Sequence, residues 1–170
     1  MAKYTVSFTT ITPTATADTT NLVDNTYFAT FQGGTATQRL RFYEFFLGGQ
    51  AGSTSSPTYW LFSRDSTVGT GTNSAGSGQM ASLTDASATA PVTAPLLGNQ
   101  WATTKPQRSA TAHLLNLSFN AYGGVVRWVA SPDEDLSVIG NTASLGEASL
   151  SAFTGGTPGP CGGHVILEAT

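Results

Sequence analysis

Apolar residues recur at every second position in one short run after another, and Gly, Pro, Ser and Asn cut the runs apart. Tyr4, Val6 and Phe8 alternate with Thr5 and Ser7, and Leu40, Phe42 and Phe46 share one face of the 39–47 run. A helix buries positions three and four apart, and no stretch of this chain offers a convincing stripe of that kind. The chain has to fold by pairing strands.

Further runs lie at 27–31, 59–62, 112–119, 125–130, 136–139, 148–153 and 164–168. The 112–119 and 125–130 runs flank Tyr122-Gly123-Gly124, a hairpin signal. The Gly/Ser/Pro-rich segment 48–57 leads into the apolar Tyr59-Trp60-Leu61-Phe62. Short strands at this spacing predict an all-β fold, a jelly-roll-like β-sandwich with long loops or an extended N-terminal arm. With 170 residues, one domain spanning 1–170 has enough chain to bury its own core.

Two stretches fit that picture less well. Residues 1–25 include a Thr-rich portion and read as an arm or a first strand. Residues 66–108 form a long low-complexity region of small polar residues, with anchors at Met80, Leu83, Leu96, Leu97 and Trp101. So long a structureless loop is uncommon inside a domain. Short strands are expected near 80–83 and 95–101, or else an arm laid on a neighbouring subunit.

Glu44 falls in phase with Leu40, Phe42 and Phe46, where alternation would bury it. A lone buried carboxylate is too costly, so either Glu44 finds a partner or the strand bulges there. The 39–47 strand is expected to be covered on both faces, one of them by a second subunit.

Charge narrows the function classes. Only 17 residues are Asp, Glu, Lys or Arg, about 10% where roughly a quarter is usual, and 44 Ser and Thr supply the polar surface instead. The formal charge of -3 argues against nucleic-acid binding, since phosphate contacts need clustered Lys and Arg and only Arg39 and Arg41 form a local basic pair. The chain has no polybasic patch and no apolar stretch of bilayer length, so no membrane is expected. Met1–Phe8 lacks the apolar run of a signal peptide, which predicts synthesis in a cytosol.

A catalytic constellation does not assemble from these residues. His113 and His164 are the available bases, and neither accompanies a Gly-x-Ser-x-Gly elbow. His113 runs in phase with Leu115, Leu117 and Phe119 and reads as a half-buried strand residue. His164 opens the last strand. Cys161, His164 and Glu168 lie near one another in sequence, but one Cys and one His are too few for a closed zinc site, and Glu168 lies about 13 Å along the strand from His164. Cys161 reads as a small buried thiol. Asp133-Glu134-Asp135 offers carboxylates for Ca²⁺ but lacks the EF-hand spacing and reads as a solvated turn. Glu44 with Glu134 or Asp65 would make a glycosidase pair only if the fold set them about 5 to 9 Å apart. The 69–78 glycine run lacks a phosphate-cradle ending, and the Asn116-Leu117-Ser118 sequon lies inside a predicted strand. No catalytic residue, cofactor or metal is assigned.

Three stretches in this order are distinctive: Arg39-Leu40-Arg41-Phe42-Tyr43-Glu44 within 37–49, Tyr59-Trp60-Leu61-Phe62-Ser63-Arg64, and Arg127-Trp128-Val129-Ala130-Ser131-Pro132 with the acidic turn after it. Over residues 37–140 the chain resembles the capsid decoration, or cement, proteins among the small virion structural proteins of tailed bacteriophages. The resemblance implies a β-sandwich on the capsid exterior of the virion, made in the host cytoplasm, bound to the major capsid protein and self-associated as a homotrimer, with no enzymatic activity. The alternative expectation is a carbohydrate-binding jelly-roll module of a phage tail or fibre, with Trp60, Trp101 and Trp128 or surface tyrosines as stacking platforms.

Overall fold

Strands form where the alternating runs stand; the computed structural model describes residues 3–14, 22, 28–52, 57–70, 81–83, 96–98, 103–140, 144–154 and 157–170. In chain order they are β1 (Lys3–Ile11), β2 (Phe28–Gln32), β3 (Arg39–Gly49), β4 (Pro57–Thr67), β5 (Ala81–Ser82), β6 (Leu96–Gly98), β7 (Gln107–Asn120), β8 (Val125–Val129), β9 (Leu136–Ile139), β10 (Glu147–Thr154) and β11 (Cys161–Ala169). β5 and β6 fall where the anchors of the 66–108 region placed them. No helix occurs among the described residues.

The strands form two sheets. One runs β5-β1-β11-β3-β8, with β9 also on β3, and the other runs β6-β2-β10-β4-β7. All strand pairings in both are antiparallel. Setting aside the short β5, β6 and β9, the pairs nest: β1 with β11, β2 with β10, β3 with β8 and β4 with β7. Rolling such a four-deep hairpin so that alternate pairs fall in opposite sheets gives a jelly roll, the double-sheet β-sandwich expected from the sequence. The turn from β7 to β8, Ala121 to Gly124, crosses from one sheet to the other. Gly123 there has a φ of 71°, a conformation open to glycine at little cost. Gly49 sits so close to this turn that a Cβ would run into the Ala121 carbonyl.

The core fills the gap between the sheets. Phe31 and Phe62 come from one sheet and Phe42 and Phe45 from the other, all fully buried. Phe42 and Phe45 each bring their ring centroid to 4.8 Å from that of Phe62, and Phe31 meets Phe42 at 5.3 Å edge to face. Tilted and edge-on contacts of this kind add to the burial of so much apolar area.

β3 departs from simple alternation. Ile166 of β11 pairs with Glu44 while Leu167 pairs with Phe42, so Tyr43 is an extra, unpaired residue. This bulge changes the phase of the strand. Leu40 and Phe42 face the core before it, Phe45 and Leu47 after it, and Phe46 turns outward with Glu44. The shared face of Leu40, Phe42 and Phe46 read from the sequence is therefore corrected. A second irregularity, between Phe62 and Ser63 on β4, pairs these with Leu115 and His113, and His113 is exposed instead of half-buried.

The β4 sheet is covered on its outer face as well. Every residue of β10 is buried. Leu22 packs there on Leu61 and Phe153, and its amide donates to the Pro106 carbonyl. Thr14 extends the β2 side of β10 by exchanging backbone hydrogen bonds with Ala152 and Thr154. In their described parts, the stretches with arm-like sequence lie against the chain's own sheet.

Candidate functional site

Three features stand apart from ordinary core. The first is a cluster of polar and aromatic groups on the outer face of the β3 sheet. Arg127 of β8 donates to Glu44 through Nε at 2.9 Å and Nη2 at 3.0 Å. His164 of β11 places Nε2 at 3.5 Å from Glu44 Oε1 and lays its ring flat on Phe46, 5.4 Å between centroids. The Tyr43 bulge brings these groups together by turning the shared face of Glu44 and Phe46 outward, to the side of Arg127 and His164. The hydrogen bonds from Arg127 hold the Glu44 carboxyl below the usual carboxylate range against the opposing effect of burial. Beside them the Tyr43 hydroxyl donates to Glu168 at 2.8 Å, and Lys3 Nζ lies 4.0 Å above the Tyr43 ring. Burial and Glu168 together raise the Tyr43 phenol. Glu44 thus has the partner its sequence position demanded, and the bulge as well.

The second feature is the edge of that sheet. β8 and β9 lie end to end along β3. Side chains on this edge point outward: Val125 is 66% exposed, Val129 51% and Ile139 46%, with Tyr122 at 57% in the adjoining turn. Scattered apolar residues on a surface need no explanation, but several along one sheet edge mark a place where another surface can dock.

The third is a buried polar row across the outer face of the β4 sheet. Gln32 of β2 pairs with Glu147 of β10, and Asp65 of β4 lies one residue beyond the Ala148–Arg64 pair. Both acids are fully buried. Ser149 donates to Asp65 Oδ1 at 2.6 Å, and the Gly69 amide donates to Glu147 Oε1 at 3.3 Å. Asp65 Oδ2 and Glu147 Oε2 have no donor but each other's carboxyl. Burial raises both groups, Asp65 to about 7 and Glu147 to about 10, and for Glu147 the neighbouring Asp65 adds to the rise. The sequence did not single out this row.

The residues singled out in the sequence do not converge. Glu44 and Asp65 lie on opposite outer faces of the sandwich, so they make no glycosidase pair. Cys161 faces the core, fully buried, with its thiol raised by burial, while His164 faces out on the same strand. Glu168 bonds to Tyr43 and not to His164. Asp133 and Glu134 are exposed in their turn, and Asp135 stands 3.9 Å from Arg41. Among the described residues no three His, Cys, Asp or Glu gather as a metal cluster. Trp60 is fully buried and Trp128 turns inward against Phe45 at 5.8 Å, so neither offers a sugar platform. Trp101 and residues 71–78 of the glycine run lie outside the described residues. Asn116 is exposed on β7. No helix of the described residues is long and apolar enough to cross a membrane.

Compared with protein-family models, with curated proteins and with solved structures, the chain matches none.

Proposed function

We propose that the chain is a structural virion protein that binds the outer surface of a tailed-phage capsid and stabilises it as a cement protein, in contact with the major capsid protein and with copies of itself in a homotrimer. The observation that carries this reading is the apolar outward edge of the β3 sheet, where Val125 and Val129 stand exposed on either side of the ion-paired Arg127. A sheet edge of this kind accepts another chain through backbone pairing or side-chain packing. Jelly rolls occur in viral capsid, lectin and cupin proteins alike, so the fold alone does not choose among them.

The stretches that carry the resemblance to decoration proteins lend support by their placement. Arg39–Gly49 and Val125–Val129 are neighbours in one sheet, and together they build the polar cluster and the edge. A surface poor in charge and rich in hydroxyls loses little to desolvation on docking. A trimer gripping adjoining shell subunits gains from multivalency, so its release is slower than any single contact allows.

The test mixes the purified protein with expanded heads that lack it. Saturable, stoichiometric binding with a gain in the heads' resistance to heat is the expected result. Absence of binding overturns the reading.

A further inference from the structure

We propose that Gln32, Glu147 and Asp65 form a binding site for a hard divalent cation of the Ca²⁺ class, held between β2, β10 and β4. The three side chains come from neighbouring strands and share the outer face of the β4 sheet. Each has one polar atom fixed by another group. Gln32 Nε2 donates to the Gly69 carbonyl at 3.5 Å, the Gly69 amide donates to Glu147 Oε1, and the Ser149 hydroxyl donates to Asp65 Oδ1. The Gly69 carbonyl sets the orientation of the Gln32 amide, since a carbonyl needs the NH₂ end. What remains is one acceptor oxygen on each residue, Gln32 Oε1, Glu147 Oε2 and Asp65 Oδ2, none with a hydrogen-bond donor. Gln32 is only 3% exposed, so its oxygen is withdrawn from bulk solvent and needs a partner inside the fold.

Three acceptors without donors, two of them on carboxyl groups, constitute a charge problem. The nearby arginines do not solve it. Arg64 directs Nη1 to the Leu145 carbonyl at 3.5 Å. Arg108 is the pairing partner of Asp65, yet its guanidinium lies over the Phe153 ring at 5.4 Å. One proton shared between the two carboxyls would satisfy a single oxygen–oxygen contact, leaving a net negative charge and an orphaned Gln32 oxygen, and an orphaned buried acceptor is costly. A divalent cation engages all three oxygens and neutralises both carboxylates. The donor set is oxygen alone, with no nitrogen or sulfur, which suits Ca²⁺ above zinc or copper, and Ca²⁺ completes its six to eight positions with water. The third donor is an amide, so a sequence search for clustered carboxylates points to Asp133-Glu134-Asp135 and passes this row by.

This inference is independent of what the sheet edge binds. Because the site is buried, the protein is unfolded in denaturant and refolded either with a chelator or with Ca²⁺, and bound calcium and the thermal midpoint are then measured. The expected result is one Ca²⁺ per chain and a midpoint raised by about 5–10 °C at roughly a hundredfold excess over Kd. Gln32→Met keeps both carboxyls and the volume of the side chain, and is expected to weaken Ca²⁺ binding at least about tenfold, as is Asp65→Asn. Asp133→Asn is expected to change nothing. Equal midpoints with Ca²⁺ and chelator, and no calcium bound, overturn the proposal and leave the pair with a shared proton. Calcium bound equally well by Gln32→Met, or lost in Asp133→Asn, also overturns it. If Asp65→Asn fails to fold, the comparison of Gln32→Met with Asp133→Asn decides alone.

Discussion

Arg127 holds Glu44 in a two-pronged grip across β8 and β3, with Nε on one carboxylate oxygen at 2.9 Å and Nη2 on the other at 3.0 Å. The parallel geometry is specific to a guanidinium, because a lysine ammonium is a point charge and cannot match both oxygens. Arg127→Lys is therefore expected to raise the Glu44 pKa toward its ordinary value, and Arg127→Ala to raise it further. Carboxyl chemical shifts followed through an acid titration measure this. Since the folded pKa is depressed, the stabilisation from this pair is present above the unfolded pKa and is lost as pH falls through the folded value. An unchanged Glu44 titration in Arg127→Ala would show that the grip does not persist in solution.

The buried row predicts the opposite sign. Asp65 and Glu147 have raised folded pKa values, so the native state holds protons that the unfolded chain has already released above about pH 4. Stability from these groups is fully present below that pH and is lost as pH rises through about 7 for Asp65 and about 10 for Glu147. In chelator-containing buffer, denaturant unfolding should show stability falling by roughly 1 kcal/mol per pH unit for each proton involved. Glu147→Gln removes one titrating group and should flatten the slope on the alkaline side. A free energy of unfolding that rises between pH 5 and pH 9 would contradict the burial of this pair.

The bulge at Tyr43 makes a stability comparison decisive. Phe45 is fully buried and touches Phe42, Phe62 and Trp128, whereas Phe46 faces outward against His164. Phe45→Ala is expected to cost about 3–5 kcal/mol, as large-to-small changes in a packed core do, and Phe46→Ala roughly 1 kcal/mol. Strict alternation in phase with Leu40 and Phe42 would reverse the order. Denaturant midpoints of the two variants separate the alternatives.

The same bulge shows where the sequence stops being informative. Period-two runs are local, so the strands, the Tyr122-Gly123-Gly124 turn and even the short β5 and β6 could be read from neighbouring residues. One inserted residue leaves every local preference satisfied and still reverses the phase of all that follows, which is why alternation alone puts Phe46 and His113 on the wrong faces. The Glu44 conflict was the local trace of the bulge: a carboxylate in an apolar phase signals a register change. The Gln32–Glu147–Asp65 row left less of a trace. Glu147 alternates in phase with Ser149 and Ser151, an unremarkable polar face, and only the long-range pairing of β10 with both β2 and β4 turns it into a buried site. The polar cluster is partly legible for the same reason: its members stand out singly in the sequence, and their meeting depends on register.

The sheet edge gives the last prediction, and it separates binding from folding. Val125 and Val129 point to solvent from β8, while Val126 and Trp128 on the same strand turn toward the core. Surface substitutions away from buried features usually shift stability within about 0.5 kcal/mol. Val125→Asp with Val129→Asp should therefore lower the thermal midpoint by only a few °C, mostly because a carboxylate at 129 stands directly across from Glu44. A docked partner, by contrast, would have to desolvate two new carboxylates at the contact, which is costly when no cation waits opposite. The double variant is expected to lose most of its retention on expanded heads, by at least about tenfold in apparent affinity, measured by co-sedimentation. Asn116→Asp with Ser118→Asp, both exposed on β7 in the other sheet, serves as a control of equal added charge and should bind as the parent does. Retention unaffected by the double variant would move the contact away from β8, and equal losses in the control would mean that added charge alone, and not this edge, governs docking.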